Sequence, residues 1–261
     1  MIYPLETYLR EDILTLNISG KGIKFLPDLT RFKNLKELYC YNNQLTSLSN
    51  LPEKLEVLYC DNNQLTYLPT LPQNLKILYC SRNQLTLLPG LPKNLELLHC
   101  SYNQLILLPT LPQNLKTLNC YENQLVLSPT LPENLQTLNC HNNQLTLLPT
   151  LPQNLKDLDC SHNQLTWLPT LPQNLKTLNC NNNTIYKILQ NIRQILHINQ
   201  SIKILNNFRH LYYCIKFKKQ LRKWLWEKVR EPNIQNRYNP NYLIENLGEE
   251  DDLDTVLNNW K

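Results

Sequence analysis

Apolar and polar positions along this chain recur with a period of twenty residues. Leu35, Leu38, Cys40, Leu45, Leu48 and Leu51 return unit after unit up to residue 183, with Ser49 in a proline slot and Ser128 in a leucine slot as departures. The stretch Leu38-Tyr39-Cys40 alternates inward and outward with period two and predicts one short strand per unit. Strands of successive units stacked in parallel at ~4.8 Å would make a ribbon ~40 Å long from eight or nine of them. The return path, Leu68 to Leu75 for example, carries two prolines three residues apart. That spacing forbids a helix and favours an extended, polyproline-like run. A fixed period of this length marks a solenoid, in which each unit buries its apolar side only by stacking on its neighbours.

Two further columns never vary. Asparagine stands at 43, 63, 83, 103, 123, 143, 163 and 183, and cysteine at 40, 60, 80, 100, 120, 140, 160 and 180. A side-chain amide at the corner after a strand both donates to and accepts from backbone groups that no ladder reaches, so the asparagines are expected to be structural. Each cysteine takes an inward slot otherwise suited to leucine, and free cysteine is a small, commonly buried hydrophobe. A straight column does not converge tetrahedrally on a metal.

The block Leu-x-x-Leu-x-Cys-x-x-Asn-Gln-Leu-x-x-Leu-Pro-x-Leu-Pro-x-x resembles the leucine-rich repeat family. More narrowly it is similar to the short twenty-residue class of secreted bacterial effectors of the Yersinia and Shigella type, from which it departs by placing cysteine at the third inward position. The resemblance covers about residues 13–183. It implies a leucine-rich repeat solenoid with short parallel β-strands on the concave face and an extended convex face, to which the apolar spacing after Thr184 adds an α-helical C-terminal tail. Eight units run from Leu35, preceded by a degenerate one at Ile13-x-x-Leu16-x-Ile18. The tail, with Arg222-Lys223-Trp224-Leu225-Trp226 and the closing Asn258-Asn259-Trp260, is similar to C-terminal segments of proteins from giant DNA viruses of the Mimivirus kind.

Charge changes the picture only in that tail. Residues 1–183 hold 13 basic and 13 acidic residues, whereas 184–230 hold 11 basic residues and the single acid Glu227. Residues 231–261 hold seven acids and two basic residues. Four regions follow: an N-terminal cap and degenerate repeat (1–34), eight repeats (35–183), a basic helical cap (184–230) and an acidic segment (231–261). Apolar spacing at Ile185, Ile188, Leu189, Ile192, Ile195 and Leu196 predicts the cap's first helix. Nine cysteines, together with a start lacking the layout of a secretory signal, point to a reducing, intracellular setting: the host cytoplasm, with virion packaging open. No stretch approaches the ~18 apolar residues of a membrane span.

Comparison of the units with one another separates positions the coil needs from positions it leaves free. The free columns are the outward strand positions. One reads Tyr39, Tyr59, Tyr79, His99, Asn119, Asn139, Asp159, Asn179. Beside it run Glu37, Val57, Ile77, Leu97, Thr117, Thr137, Asp157, Thr177 on one side and a column opening on Tyr41 on the other. The N-terminal half is aromatic and aliphatic, and the C-terminal half is small and polar. Aromatics with a polar tip are favoured binding anchors. The expected protein-binding residues are therefore Tyr39, Tyr59, Tyr79, His99, Tyr41, Val57, Ile77 and Leu97, with cross-strand stacking as the alternative role for the tyrosines.

No glycine-rich phosphate loop, zinc spacing or paired-acid signature is present, so no cofactor, metal or catalytic residue is expected. His99, His141 and His162 fall in separate repeats and read as exposed concave residues without a catalytic role. The expected function is a non-enzymatic interaction scaffold with a host or viral protein partner. Two alternatives stand beside it. Cys214, four residues from His210, raises a role in ubiquitylation, as ligase or as substrate-recruiting subunit, by resemblance to effectors that join repeats to a ligase domain. The basic cluster Lys216 to Arg230, with Trp224 and Trp226, raises nucleic-acid association, which the acidic block Glu249 to Asp254 opposes; a membrane partner is less expected still.

Overall fold

The computed structural model describes residues 12–185 together with Asn199, Gln200 and Lys203. All belong to the first of the two units into which the chain divides, Met1–Lys203. Nine strands of three residues each follow one another: β1 (Thr15–Asn17), β2 (Glu37–Tyr39), β3 (Val57–Tyr59), β4 (Ile77–Tyr79), β5 (Leu97–His99), β6 (Thr117–Asn119), β7 (Thr137–Asn139), β8 (Asp157–Asp159) and β9 (Thr177–Asn179). They form one parallel sheet in sequence order. The step is 22 residues from β1 to β2 (Thr15↔Glu37) and twenty thereafter (Glu37↔Val57), so equivalent residues lie side by side along the whole sheet.

Each unit closes a narrow coil around a leucine core. Leu35, Leu38, Cys40 and Leu45 are fully buried, as are most of their equivalents. Leu16 and Ile18 are buried in the degenerate first unit, where Phe32 and Leu29 fill space that later units leave to the proline turn. No helix interrupts the return path among the described repeats; a turn at 53–54 and its equivalents brings Leu55 N–H to the Pro52 carbonyl at 3.1 Å. On the flank where each strand begins, Glu56 pairs with Lys36 at 3.3 Å and with Lys76 at 2.6 Å, and Glu96 pairs with Lys116 at 2.6 Å. These exposed bridges add little stability but keep most solenoid charge off the sheet face.

Three expectations are corrected. The strand begins one residue earlier than Leu38 and ends before the cysteine, because the chain turns sharply at the next residue but one. Cys40 N–H still donates to the Tyr59 carbonyl at 2.8 Å, so the ladder outlasts the strand by one bond. Ile185, expected in a helix, fills the leucine slot of a further rung: it is buried and its N–H donates to the Leu165 carbonyl at 3.1 Å. The third correction concerns the histidines and is given with the site. Apart from Thr184, Ile185, Asn199, Gln200 and Lys203, the basic cap and the acidic segment lie outside the described residues, with Cys214 and His210.

Candidate interaction surface

Every unit turns the same corner after its strand. Asn42, Asn62, Arg82, Tyr102, Glu122, Asn142, His162 and Asn182 all adopt φ between 50° and 54°. This left-handed conformation costs an ordinary residue roughly 1–2 kcal/mol, and asparagine tolerates it best. The cost is met by the invariant asparagine that follows. The Asn83 amide donates to the carbonyls of Cys80 (3.2 Å), Ser81 (3.2 Å) and, one unit back, Cys60 (3.0 Å). Its oxygen accepts from Leu65 N–H at 3.0 Å. Each such asparagine therefore locks its own corner and ties two units together. A second amide ladder was not anticipated: Asn74 donates to the Glu53 carbonyl at 3.0 Å, and Asn94, Asn114, Asn134, Asn154 and Asn174 repeat the bond.

This frame presents the outward strand columns as a continuous face. Seven of the eight expected residues are brought together by register, as Tyr39↔Tyr59↔Tyr79↔His99 and Val57↔Ile77↔Leu97, and Tyr41 lies beside Tyr39 at the head of the third column. All eight are half-buried. The rings form one column: Tyr39 to Tyr59 at 5.1 Å and tilted, Tyr59 to Tyr79 at 4.2 Å and nearly parallel, Tyr79 to His99 at 4.2 Å and tilted. The side chains expected as anchors thus take the stacking role. The hydroxyls are engaged as well: Tyr39 donates to Glu37 Oε2 at 3.4 Å, and Tyr59 and Tyr79 hydrogen-bond each other.

Burial favours the neutral forms of several titratable groups on this half. Burial holds His99 below the usual imidazole range, and the Asn119 amide touches its Nε2. Burial, with the carboxylate of Glu37, raises Tyr39; burial, with Tyr59, raises Tyr79. Asp61, in the third column, is pushed up to about 6 by burial despite accepting from Ser81 N–H at 2.9 Å. The other half, by contrast, is a hydrogen-bonded lattice. Asp159 accepts from Ser161 Oγ at 2.7 Å and from the Asn179 amide at 3.1 Å, and Asp157 accepts from Thr177 Oγ1 at 2.7 Å.

The histidines are not simply exposed concave residues. His99 and His141 are half-buried, and His141 stacks on Tyr121 at 4.4 Å with its Nδ1 2.7 Å from Asn139 Oδ1. His162 sits at the left-handed corner, outside the strand columns, with Asn182 at 2.9 Å. The eight described cysteines are buried free thiols. Burial pushes them up, Cys40 to about 12, so they stay protonated and serve as packing.

Sequence reasoning missed an apolar column outside the core. Tyr67, Leu87, Leu107, Leu127 and Leu147 are 44–63% exposed, and Ile106 and Val126 beside them are 54% and 42% exposed. The signal was present in the doublet Leu-Leu-Pro, whose second leucine alone enters the core.

Comparison with known proteins gives one family. The leucine-rich repeat model matches residues 74–95, 134–155 and 154–175. Among solved structures, YopM of Yersinia enterocolitica is 36% identical over 67% of this chain and 43% of its own, with a TM-score of 0.63. YopM of Yersinia pestis, a leucine-rich effector protein, is 32% identical over 65% of this chain and 61% of its own, with a TM-score of 0.50. A Shigella effector leucine-rich repeat domain is 30% identical over 69% of this chain and 74% of its own, with a TM-score of 0.50. The chain spans less than half of the first of these proteins and about three-fifths of the second. No curated protein matches it.

Proposed function

Because this chain belongs to the leucine-rich repeat family, we propose that it is a non-enzymatic scaffold holding a protein partner on the N-terminal half of its concave face. One observation carries the reading. Positions occupied by stacked aromatics in β2–β5 hold asparagine and aspartate in β6–β9, on the same backbone and over the same core. The coil therefore does not require the aromatics, and half-buried tyrosines beside Val57, Ile77 and Leu97 are the residue types that anchor protein contacts. Buried, protonated thiols in the described repeats support the non-enzymatic reading and an intracellular setting. No helix among the described residues is long and apolar enough to cross a membrane. The setting we propose is the cytoplasm of a host cell infected by a giant virus, on the likeness of the tail.

The test compares the tagged full chain with a variant carrying Tyr39→Ala, Tyr59→Ala and Tyr79→Ala, after circular dichroism shows both folded. A protein retained by the first and lost by the second supports the reading. Retention of the same proteins by both moves the binding surface elsewhere.

A further inference from the structure

The exposed apolar column lies on a part of the coil that carries no charge. None of residues 43–52, 63–72, 83–92, 103–112, 123–132, 143–152 and 163–172 is Asp, Glu, Lys or Arg. Over seven consecutive units, every charged side chain stands on the other ten positions. Composition does not require this, since the same units hold both signs in quantity elsewhere. Along the middle of the neutral band run Tyr67, Leu87, Leu107, Leu127, Leu147 and Trp167, one per unit, the first five exposed and Trp167 half-buried. Adjacent units rise by about 4.8 Å, so this ridge is about 24 Å long. Contiguous exposed apolar surface of this kind marks an interaction site.

The ridge also has an order. Read from either end, it runs aromatic, leucine, leucine, leucine, leucine, aromatic. The neighbouring column reads Thr66, Thr86, Ile106, Val126, Thr146, Thr166, threonine outside and β-branched apolar residues inside. Both columns share one midpoint, between the units of Leu107 and Leu127, where Val126 N–H donates to the Ile106 carbonyl at 3.3 Å. A two-fold interface needs a patch complementary to itself, in which residue i meets j and j meets i. A strip that reads alike in both directions meets that condition when two copies pair antiparallel.

We propose that this neutral ridge is a self-association surface, on which a second copy of the chain docks antiparallel. Leu107 of one copy meets Leu127 of the other, Leu87 meets Leu147, and Tyr67 meets Trp167. The absence of charge matters because a charge near the two-fold axis would face its own copy and one farther out would be desolvated against the apolar strip. A strip of this length and about 15 Å width buries on the order of 400 Å² per copy, about 800 Å² in total and below the ~1,200 Å² of stable complexes, so pairing is transient and of roughly micromolar or weaker affinity. This surface is distinct from the sheet face and leaves it open.

Sedimentation velocity of the full chain between about 1 and 200 µM tests it. The expected result is a shift from the 30.9 kDa monomer toward twice that mass as concentration rises. Leu107→Glu and Leu127→Lys, both at exposed positions, each weaken pairing at least about tenfold, as a buried interface anchor does. An equimolar mixture of the two pairs more tightly than either alone. In the mixed dimer the introduced carboxylate faces the introduced ammonium at one contact, while leucine still faces leucine at the other. If either variant loses its native circular dichroism, Leu107→Ser takes its place and must also weaken pairing. A wild-type chain that stays monomeric at the highest concentration overturns the proposal and leaves the ridge to residues 186–261 or to a foreign protein. A dimer undiminished by the substitutions, or a mixture that pairs no better than its components, overturns it as well.

Discussion

The two halves of the sheet share a backbone and differ in what they show. β2–β5 and β6–β9 have the same length, the same register and the same leucine core, and the asparagine at each corner makes the same bonds. Yet one half presents a stack of tyrosines ending on His99. In the same columns the other presents threonine, asparagine and aspartate bonded to one another, with aromatics only at Tyr121 and His141 in the column beside them. A solenoid can carry either because stability comes from inward columns and neighbouring units, while outward side chains meet only solvent and each other. Where the coil does not choose, the residue is free to serve something else.

Removing the shared part should hurt both halves equally. Asn83→Ala and Asn163→Ala each strip one unit of its corner amide and leave a buried leucine N–H unpaired, while each Cys carbonyl keeps the second asparagine amide that donates to it. A loss of about 3 kcal/mol is expected in either half, since the unsatisfied buried N–H costs ~1–3 kcal/mol and three carbonyls each lose one donor as well. Urea denaturation followed by circular dichroism measures it. A cost confined to one half would show that the halves are not equivalent coils.

A smaller effect should separate the halves. Asp61 is raised to about 6 by burial, so the folded chain holds its proton more tightly than the unfolded chain does. Ionised Asp61 therefore costs stability above pH 6, and that cost fades as the pH falls from 6 toward 4. Asp61→Asn should raise stability by about 1–3 kcal/mol at pH 7, with the gain vanishing near pH 4. Thermal melts of both chains across that range decide it; a gain unchanged from pH 7 to pH 4 would refute burial as the cause.

The smallest expected effect lies at the left-handed corner, which both halves share but fill differently. Glu122→Asn places the best-tolerated L-residue at φ 53°. It should stabilise the chain by roughly 0.5–1 kcal/mol, less whatever the Glu122–Asn142 hydrogen bond contributes. An unchanged or lowered melting temperature would mean that this bond outweighs the backbone strain.

Much of this molecule was readable from one unit repeated. The leucine, cysteine and asparagine columns determined a parallel coil, its strand order and its buried thiols, because in a solenoid each contact lies one period away and periodicity is contact information. Seven of the eight expected face residues fall in register for the same reason. What only the tertiary structure decided are matters of direction. The strand ends at Tyr39 because the chain turns through a left-handed corner at Asn42, and nothing in Arg82, Tyr102 or Glu122 announces that conformation. The tyrosines turned ring to ring because the register set them one rung apart with no bulky neighbour between. The first leucine of each Leu-Leu-Pro points outward because the coil has room for one of the pair, so a residue that reads as core becomes a ridge. Periodicity names which residues are neighbours; only packing decides which way they face.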